Sequence, residues 1–171
     1  MFKADFLSRA EALISLYREQ HLMIATAESC TGGLVAALLT SIAGSSVVVE
    51  RGFVTYSNAA KSESLGVPQE LLNKFGAVSS EVAKAMASGA LAHSKADVAV
   101  SVTGIAGPGG GSEEKPVGLV HFACARRNGE KSPALIAVEK RFGDLGRAAI
   151  RAASVEVALS LLSQAVQPRT P

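Results

Sequence analysis

Residues 23–37 read M-I-A-T-A-E-S-C-T-G-G-L-V-A-A, and the rest of the chain is organised around this stretch. Met23 to Ala27 is short, apolar and partly β-branched, as a buried strand requires. From Leu34 the text turns rich in Ala and Leu and reads as a helix ending near Gly44. Between them lie Glu28, Ser29, Cys30, Thr31, Gly32 and Gly33. The first amides of a helix have no intrahelical acceptor, and the dipole there favours negative charge. Gly32 and Gly33 let a ligand approach the backbone closely. Ser29 stands at this turn beside donors able to hold an oxyanion. The plainer reading is a strand-to-helix turn with Ser or Thr as N-cap.

Working outward, Phe6, Ala10, Leu13, Ile14 and Tyr17 form one stripe of a first helix over about residues 3–20. Ser46 to Tyr56 reads as a long strand, with Gly52 marking a bulge or a close approach. Asn58 is placed as the cap of a short helix carrying Lys61 on its first turn. Pro68 starts a brief helix ending near Gly76, and Ser79 caps another over about residues 80–94. Asp97 to Thr103 is a buried strand, followed by the Gly-rich segment Gly104 to Pro116. Val117 to Arg127 and Ala134 to Phe142 form a hairpin around Asn128-Gly129. A last helix covers about residues 144–166, and residues 167–171 are a frayed tail. The alternation predicts an α/β chain. Residues 1–166 form one domain, a three-layer α/β/α sandwich whose mixed, mostly parallel sheet has one antiparallel strand.

Composition narrows the function. The chain has 171 residues, is 48% hydrophobic, carries a net charge of +2 and lacks Trp. That suits a globular domain and gives neither a broad nucleic-acid footprint nor a base-stacking platform. The N-terminus lacks a signal-peptide core, and no apolar run reads as a bilayer span, so a soluble cytoplasmic protein without membrane contact is expected. Cys30 and Cys124 have no metal-ligand spacing, and His21, His93 and His121 are isolated. Two reduced thiols, no metal and no cofactor are expected.

Three polar stretches follow three strands: Glu28 to Gly33, Tyr56 to Lys61, and Thr103 to Gly111. Ligands of open α/β sheets bind beyond the carboxyl ends of parallel strands, so neighbouring strands would bring these stretches into one pocket. The Gly-rich segment matches neither G-x-G-x-x-G nor a P-loop, yet its free amides suit an anion nest, unless it is only a surface connection. Ser29 and Lys61 suggest a serine nucleophile with a lysine base, provided desolvation keeps the amine neutral. A solvated surface lysine is the alternative. Cys30 is a rival nucleophile, or else a small buried residue.

The motifs T-A-E-S-C-T-G-G (residues 26–33), R-G-F-V-T-Y-S-N-x-x-K (51–61), G-A-V-S (76–79) and S-V-T-G-I-A-G-P-G-G-G-S-E-E-K-P-V-G (101–118) resemble the CinA C-terminal domain family over about residues 5–165. The resemblance implies a three-layer fold and, for stand-alone members, metal-free hydrolysis of the carboxamide of nicotinamide mononucleotide, giving nicotinate mononucleotide and ammonia. It also implies that the molybdopterin-binding-like domain of larger relatives is absent and that nothing points to DNA binding. Position by position it marks Ser29 as nucleophile and Lys61 as general base. Tyr56 and Thr103 match pocket positions counted with the catalytic group. The expected substrate contacts are Glu28, Cys30, Thr31, Gly32, Gly33, Asn58, Gly104, Gly107, Gly109, Gly110, Arg147 and Arg151. The family's F-x-G-D-R text is shifted here to F-G-D-L-G-R, although Arg147 and Arg151 keep their four-residue spacing. A homodimer or larger homo-oligomer is expected. The second functional class considered is a catalytically silent pyridine-nucleotide sensor with the same pocket.

Overall fold

The computed structural model describes residues 2–129 and 131–167. Of the expected frayed tail, residues 168–171 lie outside the described residues. The elements, in order, are α1 (Ala4–Glu19), β1 (Ile24–Glu28), α2 (Leu34–Thr40), β2 (Val49–Val54), α3 (Asn58–Leu65), α4 (Gln69–Phe75), α5 (Ser80–Ala92), β3 (Val98–Gly104), β4 (Leu119–Asn128), β5 (Lys131–Arg141) and α6 (Arg147–Val166). The strands form one sheet in the order β2-β1-β3-β4-β5. β1 pairs parallel with both β2 and β3, whereas β4 is antiparallel to β3 and to β5. β4 is therefore the one reversed strand. The carboxyl ends of β1, β2 and β3 share one edge, which places the three polar stretches side by side.

Side-chain alternation divides the sheet into two unlike faces. Ile24, Val98, Val100, Val102, Val120, Phe122 and Cys124 project toward α1, α2 and α6, where the larger core lies. Ala25, Ala27, Ala99, Ala123 and Ala125 project toward α5, whose own Ala83, Ala87 and Ala90 face them. Small residues on both sides let α5 lie close to the sheet. Gly89 extends this close packing to α3, because a Cβ there would collide with the Leu65 carbonyl. The helix that carries Lys61 is thus seated on α5 through backbone contact.

Several local expectations are corrected. The expected strand over residues 46–56 begins only at Val49, because a single 3-10 turn occupies Ser45–Val47 after Gly44 in the left-handed region. It ends at Val54, freeing Thr55 and Tyr56 for the site. The bulge falls at Glu50, where the pairing jumps from Ile24↔Val49 to Ala25↔Arg51. Gly52 is instead a close approach, with Thr26 Oγ1 3.0 Å and Ala36 Cβ 3.1 Å from where its Cβ would stand. α2 stops at Thr40, short of Gly44. α6 is long and apolar enough, by length and composition, to cross a membrane, contrary to the expectation that no such run exists. Ile150, Val155, Ala158, Leu159 and Leu162 on α6 are buried in the core beneath the sheet, which accounts for that apolarity.

Candidate active site

The nucleophile candidate sits on a turn that the backbone defines closely. The Ser29 amide donates to the Val102 carbonyl at 2.9 Å, extending the β1–β3 pairing by one residue. The Ser29 carbonyl then accepts from the Gly32 amide at 2.9 Å, closing the turn. Gly32 and Gly33 follow with φ of 59° and 92°, a left-handed path that other residues adopt at a cost. Ser29 is 9% exposed, so its hydroxyl reaches the cavity while its backbone stays buried.

The N-terminus of α2 is not the open anion site expected. Glu28 is fully buried, and its carboxylate accepts from the amides of Gly33 (3.1 Å), Val35 (3.1 Å) and Ala36 (2.9 Å). The N-cap residue is Gly33, without a side-chain cap bond. Neither Ser nor Thr caps this helix. An internal carboxylate satisfies three of its orphan amides and its dipole. Among the described residues, the amides of Cys30 and Thr31 have no backbone acceptor, and of the two residues only Cys30 lines the cavity.

Across the cavity, the Thr55 amide donates to the Glu28 carbonyl at 2.8 Å and ties the end of β2 to β1. Ser57, not Asn58, caps α3, accepting from the Ala60 amide at 3.0 Å. Asn58 is the first helical residue. Lys61, on the first turn, is 1% exposed. Its Nζ lies 3.0 Å from Ser29 Oγ and donates to the Thr55 carbonyl at 2.8 Å. Burial holds the Lys61 amine below the ordinary lysine range, with the Cys30 thiol acting the other way to a lesser extent. A buried amine with two neutral partners is biased toward its uncharged form, and an uncharged amine accepts the serine proton. The surface-lysine alternative is thereby ruled out. Burial pushes the Cys30 thiol up to about 11, the opposite of what an activated thiolate needs.

The third wall is the end of β3 and the loop after it. The Thr103 hydroxyl donates to the Ala77 carbonyl at 2.8 Å and so holds the segment before α5 against the sheet. Arg147, at the start of α6, donates to the Gly107 carbonyl at 3.0 Å and to the Tyr56 hydroxyl at 2.8 Å. It bridges the Gly-rich loop to the end of β2. The open cavity between these walls measures about 280 Å³ and is lined by Ser29, Cys30, Tyr56, Asn58, Lys61, Thr103 and Arg147 together with Gly104, Gly107, Gly109 and Gly110. Ala77, Val78, Ile105 and Ala106 complete the lining. Lys61 and Arg147 are the cations, and no Asp or Glu lines the cavity among the described residues.

The remaining expected contacts stand elsewhere. Glu28 is consumed by α2. Thr31 is fully buried, and its carbonyl accepts from Arg151 Nη2 at 2.8 Å. Arg151 therefore braces the back of the Ser29 turn, and Gly32, whose Cβ would lie 3.4 Å from that same nitrogen, is packed there. Gly33 faces Val54 instead. Among the described residues, no group of three His, Cys, Asp or Glu side chains could hold a metal ion. Sequence reasoning missed Thr55, whose carbonyl anchors Lys61, and the wall residues Ala77 and Val78. The signal for the last two was present, since both lie in the G-A-V-S motif that received no role.

The CinA C-terminal domain family model matches residues 7–166. This chain belongs to that family. The nicotinamide-nucleotide amidohydrolase PncC of Escherichia coli is 52% identical over 130 residues, covering 76% of this chain and 79% of the relative. A putative competence-damage inducible protein of Caldicellulosiruptor bescii is 48% identical over 157 residues, covering 91% of this chain but 36% of the relative. The chain thus spans little more than a third of the length of that relative. Among solved structures, the competence/damage inducible protein CihA of Agrobacterium tumefaciens superposes with a TM-score of 0.93 at 54% identity, covering 98% of this chain and 99% of that one. A CinA superfamily protein of E. coli does so with a TM-score of 0.87 at 32% identity, covering 97% and 94%. The three-layer mixed fold is the CinA fold.

Proposed function

We propose that this CinA-family domain is a cytoplasmic amidohydrolase acting on nicotinamide mononucleotide through a serine acyl-enzyme. The observation that carries the reading is the buried pair of Lys61 Nζ and Ser29 Oγ at 3.0 Å, and the 52% identity to a nicotinamide-nucleotide amidohydrolase supports the substrate class. Neutral Lys61 takes the Ser29 proton, and the hydroxyl oxygen attacks the carboxamide carbon. The Cys30 amide, on the turn that lines the cavity, is the donor assigned to the developing oxyanion; removing one such donor typically costs about 3 kcal/mol. Lys61 returns its proton to the departing ammonia, and water activated by the same amine cleaves the ester. The cationic pyridinium favours a neutral Lys61, and the exposed Tyr56 ring suits stacking on it, worth about 1 kcal/mol. Arg147 and the loop amides from Gly104 to Gly110 receive the 5′-phosphate. Thr103 acts by fixing the Ala77 wall.

The test is ammonia release from nicotinamide mononucleotide by wild type, Ser29→Ala, Lys61→Ala and Cys30→Ala, each with and without a chelator. Release that survives chelation and Cys30→Ala, and is lost in the other two, supports the reading. A folded wild type that binds one equivalent and releases no ammonia is a sensor and overturns it.

A further inference from the structure

We propose, resting on the reading above, that the acid product binds this cavity together with a proton taken up by Lys61, so that product inhibition strengthens as pH falls while amide binding lacks that dependence. The amide and the acid share ring, ribose and phosphate. They differ only where an NH2 becomes a carboxylate oxygen, the position beside Ser29 Oγ and Lys61 Nζ.

Among the described residues, the Lys61 ammonium of the free site has no anionic partner. The groups facing it from the β1–α2 turn are the Ser29 hydroxyl and Cys30, whose thiol burial holds neutral. From the end of β2 comes the neutral Thr55 carbonyl. Across the cavity stand Arg147 and the Tyr56 hydroxyl that accepts from it. The Glu28 carboxylate is committed to the α2 amides. α5, against which α3 packs, turns Val82, Ala83, Met86 and Ala87 inward, and its Glu81 and Lys84 are exposed. A ligand carboxylate would be the first counter-ion this amine meets. Charge pairing inside a buried site raises an amine's proton affinity, reversing the effect of desolvation.

The chemistry delivers the same state. In deacylation water adds to the ester carbonyl, the bond to Ser29 Oγ breaks, and Ser29 regains its hydrogen. The acid so formed loses its proton to Lys61, leaving carboxylate against ammonium. By linkage, acid affinity gains about tenfold per pH unit of acidification between the Lys61 titration in the complex and that in the free protein. Outside that window it is flat. The neutral amide makes no such pair.

Wild type binds nicotinate mononucleotide without turning it over, so titration calorimetry can be run on it in buffers of different ionisation enthalpy. Nicotinamide mononucleotide is measured with Ser29→Ala, and the acid is repeated on that variant and on Lys61→Met. The expected result is uptake of about one proton with the acid on wild type and Ser29→Ala, none with the amide, and none with the acid on Lys61→Met. Proton uptake with both ligands, with neither, or surviving Lys61→Met overturns the inference. Ammonia release by wild type is scored separately. If release is absent, the amidase reading fails; if release occurs but acid inhibition is independent of pH, this inference alone fails.

Discussion

Replacing Glu28 with Gln tests whether the Ser29 turn is built on an internal anion. The carboxylate accepts from Gly33 and Val35 with one oxygen and from Ala36 with the other. A glutamine amide has one oxygen, so its NH2 must face at least one backbone donor. One bond to a charged group is lost, worth about 1.5–3 kcal/mol, and the survivors fall to neutral strength. Loss of the anion at the helix start adds up to about 2 kcal/mol in a buried setting. The combined cost of about 1.5–5 kcal/mol does not exceed the reserve of about 5–15 kcal/mol that folded domains hold, so the variant should fold. Urea unfolding reads this as a lower midpoint with an unchanged slope. Because Ser29 is the next residue, kcat should fall at least about tenfold, with KM moving less. A stability loss under about 0.5 kcal/mol together with a wild-type kcat would refute the claim that Glu28 holds the turn.

Lys61→Met should lower kcat by about 100- to 10,000-fold, the usual weight of a general base, in a protein with an unchanged circular dichroism spectrum. The same variant should melt higher than wild type at neutral pH, because it removes a buried amine held in its less favoured environment. Burial lowers the Lys61 pKa in the folded state, so the unfolded chain binds more protons over the window from that lowered value up to the ordinary lysine value. Wild-type stability should therefore rise with pH through that window, and Lys61→Met should lose this slope. Activity should likewise fall as pH drops through the Lys61 titration, measured as kcat/KM against pH. Cys30→Ala should keep kcat within about threefold while costing on the order of 1 kcal/mol of stability from the small cavity. Gly89→Ala should destabilise by about 1–3 kcal/mol, because the collision is with the Leu65 backbone and α3 must move; thermal melting and a raised KM would report it together.

Most strands were legible because they are bounded by a change of residue chemistry, whereas β2 runs between β-branched neighbours and its ends were not. Ile24 to Ala27 and Val98 to Val102 are buried on both faces and mostly apolar, Thr26 and Ser101 excepted, as strands covered by helices must be. The convergence of the three polar stretches was conditional on β1, β2 and β3 being neighbours, which the order β2-β1-β3 satisfies. Ser29, Lys61, Tyr56 and Thr103 do meet around one cavity. What could not be read was the destination of each polar side chain within a hydrogen bond's length. Asn58 and Ser57 are both good caps, and only the backbone angles at Ser57 (φ −101°, ψ 164°) decide between them. Glu28 and Ser29 are adjacent in sequence but point to opposite faces, since side chains alternate at a strand end. The alternation that sends Ser29 to the cavity sends Glu28 under α2. Arg147 and Arg151 share a helical spacing, yet only the first turn of α6 reaches the cavity mouth.

That division leaves the N-terminus of α2 closed to a ligand anion. A strand-to-helix turn usually offers its helix N-terminus to a ligand anion. Here the protein supplies that anion itself through Glu28, and a second buried anion beside it would meet repulsion. On the proposed reading, a substrate phosphate is better received on the opposite rim, where Arg147 spans Gly107 and Tyr56. On the proposed mechanism, the turn keeps the Cys30 amide for charge that exists only during the reaction. Separating permanent from transient charge in this way favours the transition state over the bound amide. It follows that Arg147→Met should weaken the binding of phosphorylated ligands, seen as a raised KM, and leave kcat nearly unchanged. A large loss of kcat with KM unaltered would instead put Arg147 at the reacting centre and refute this division of charge.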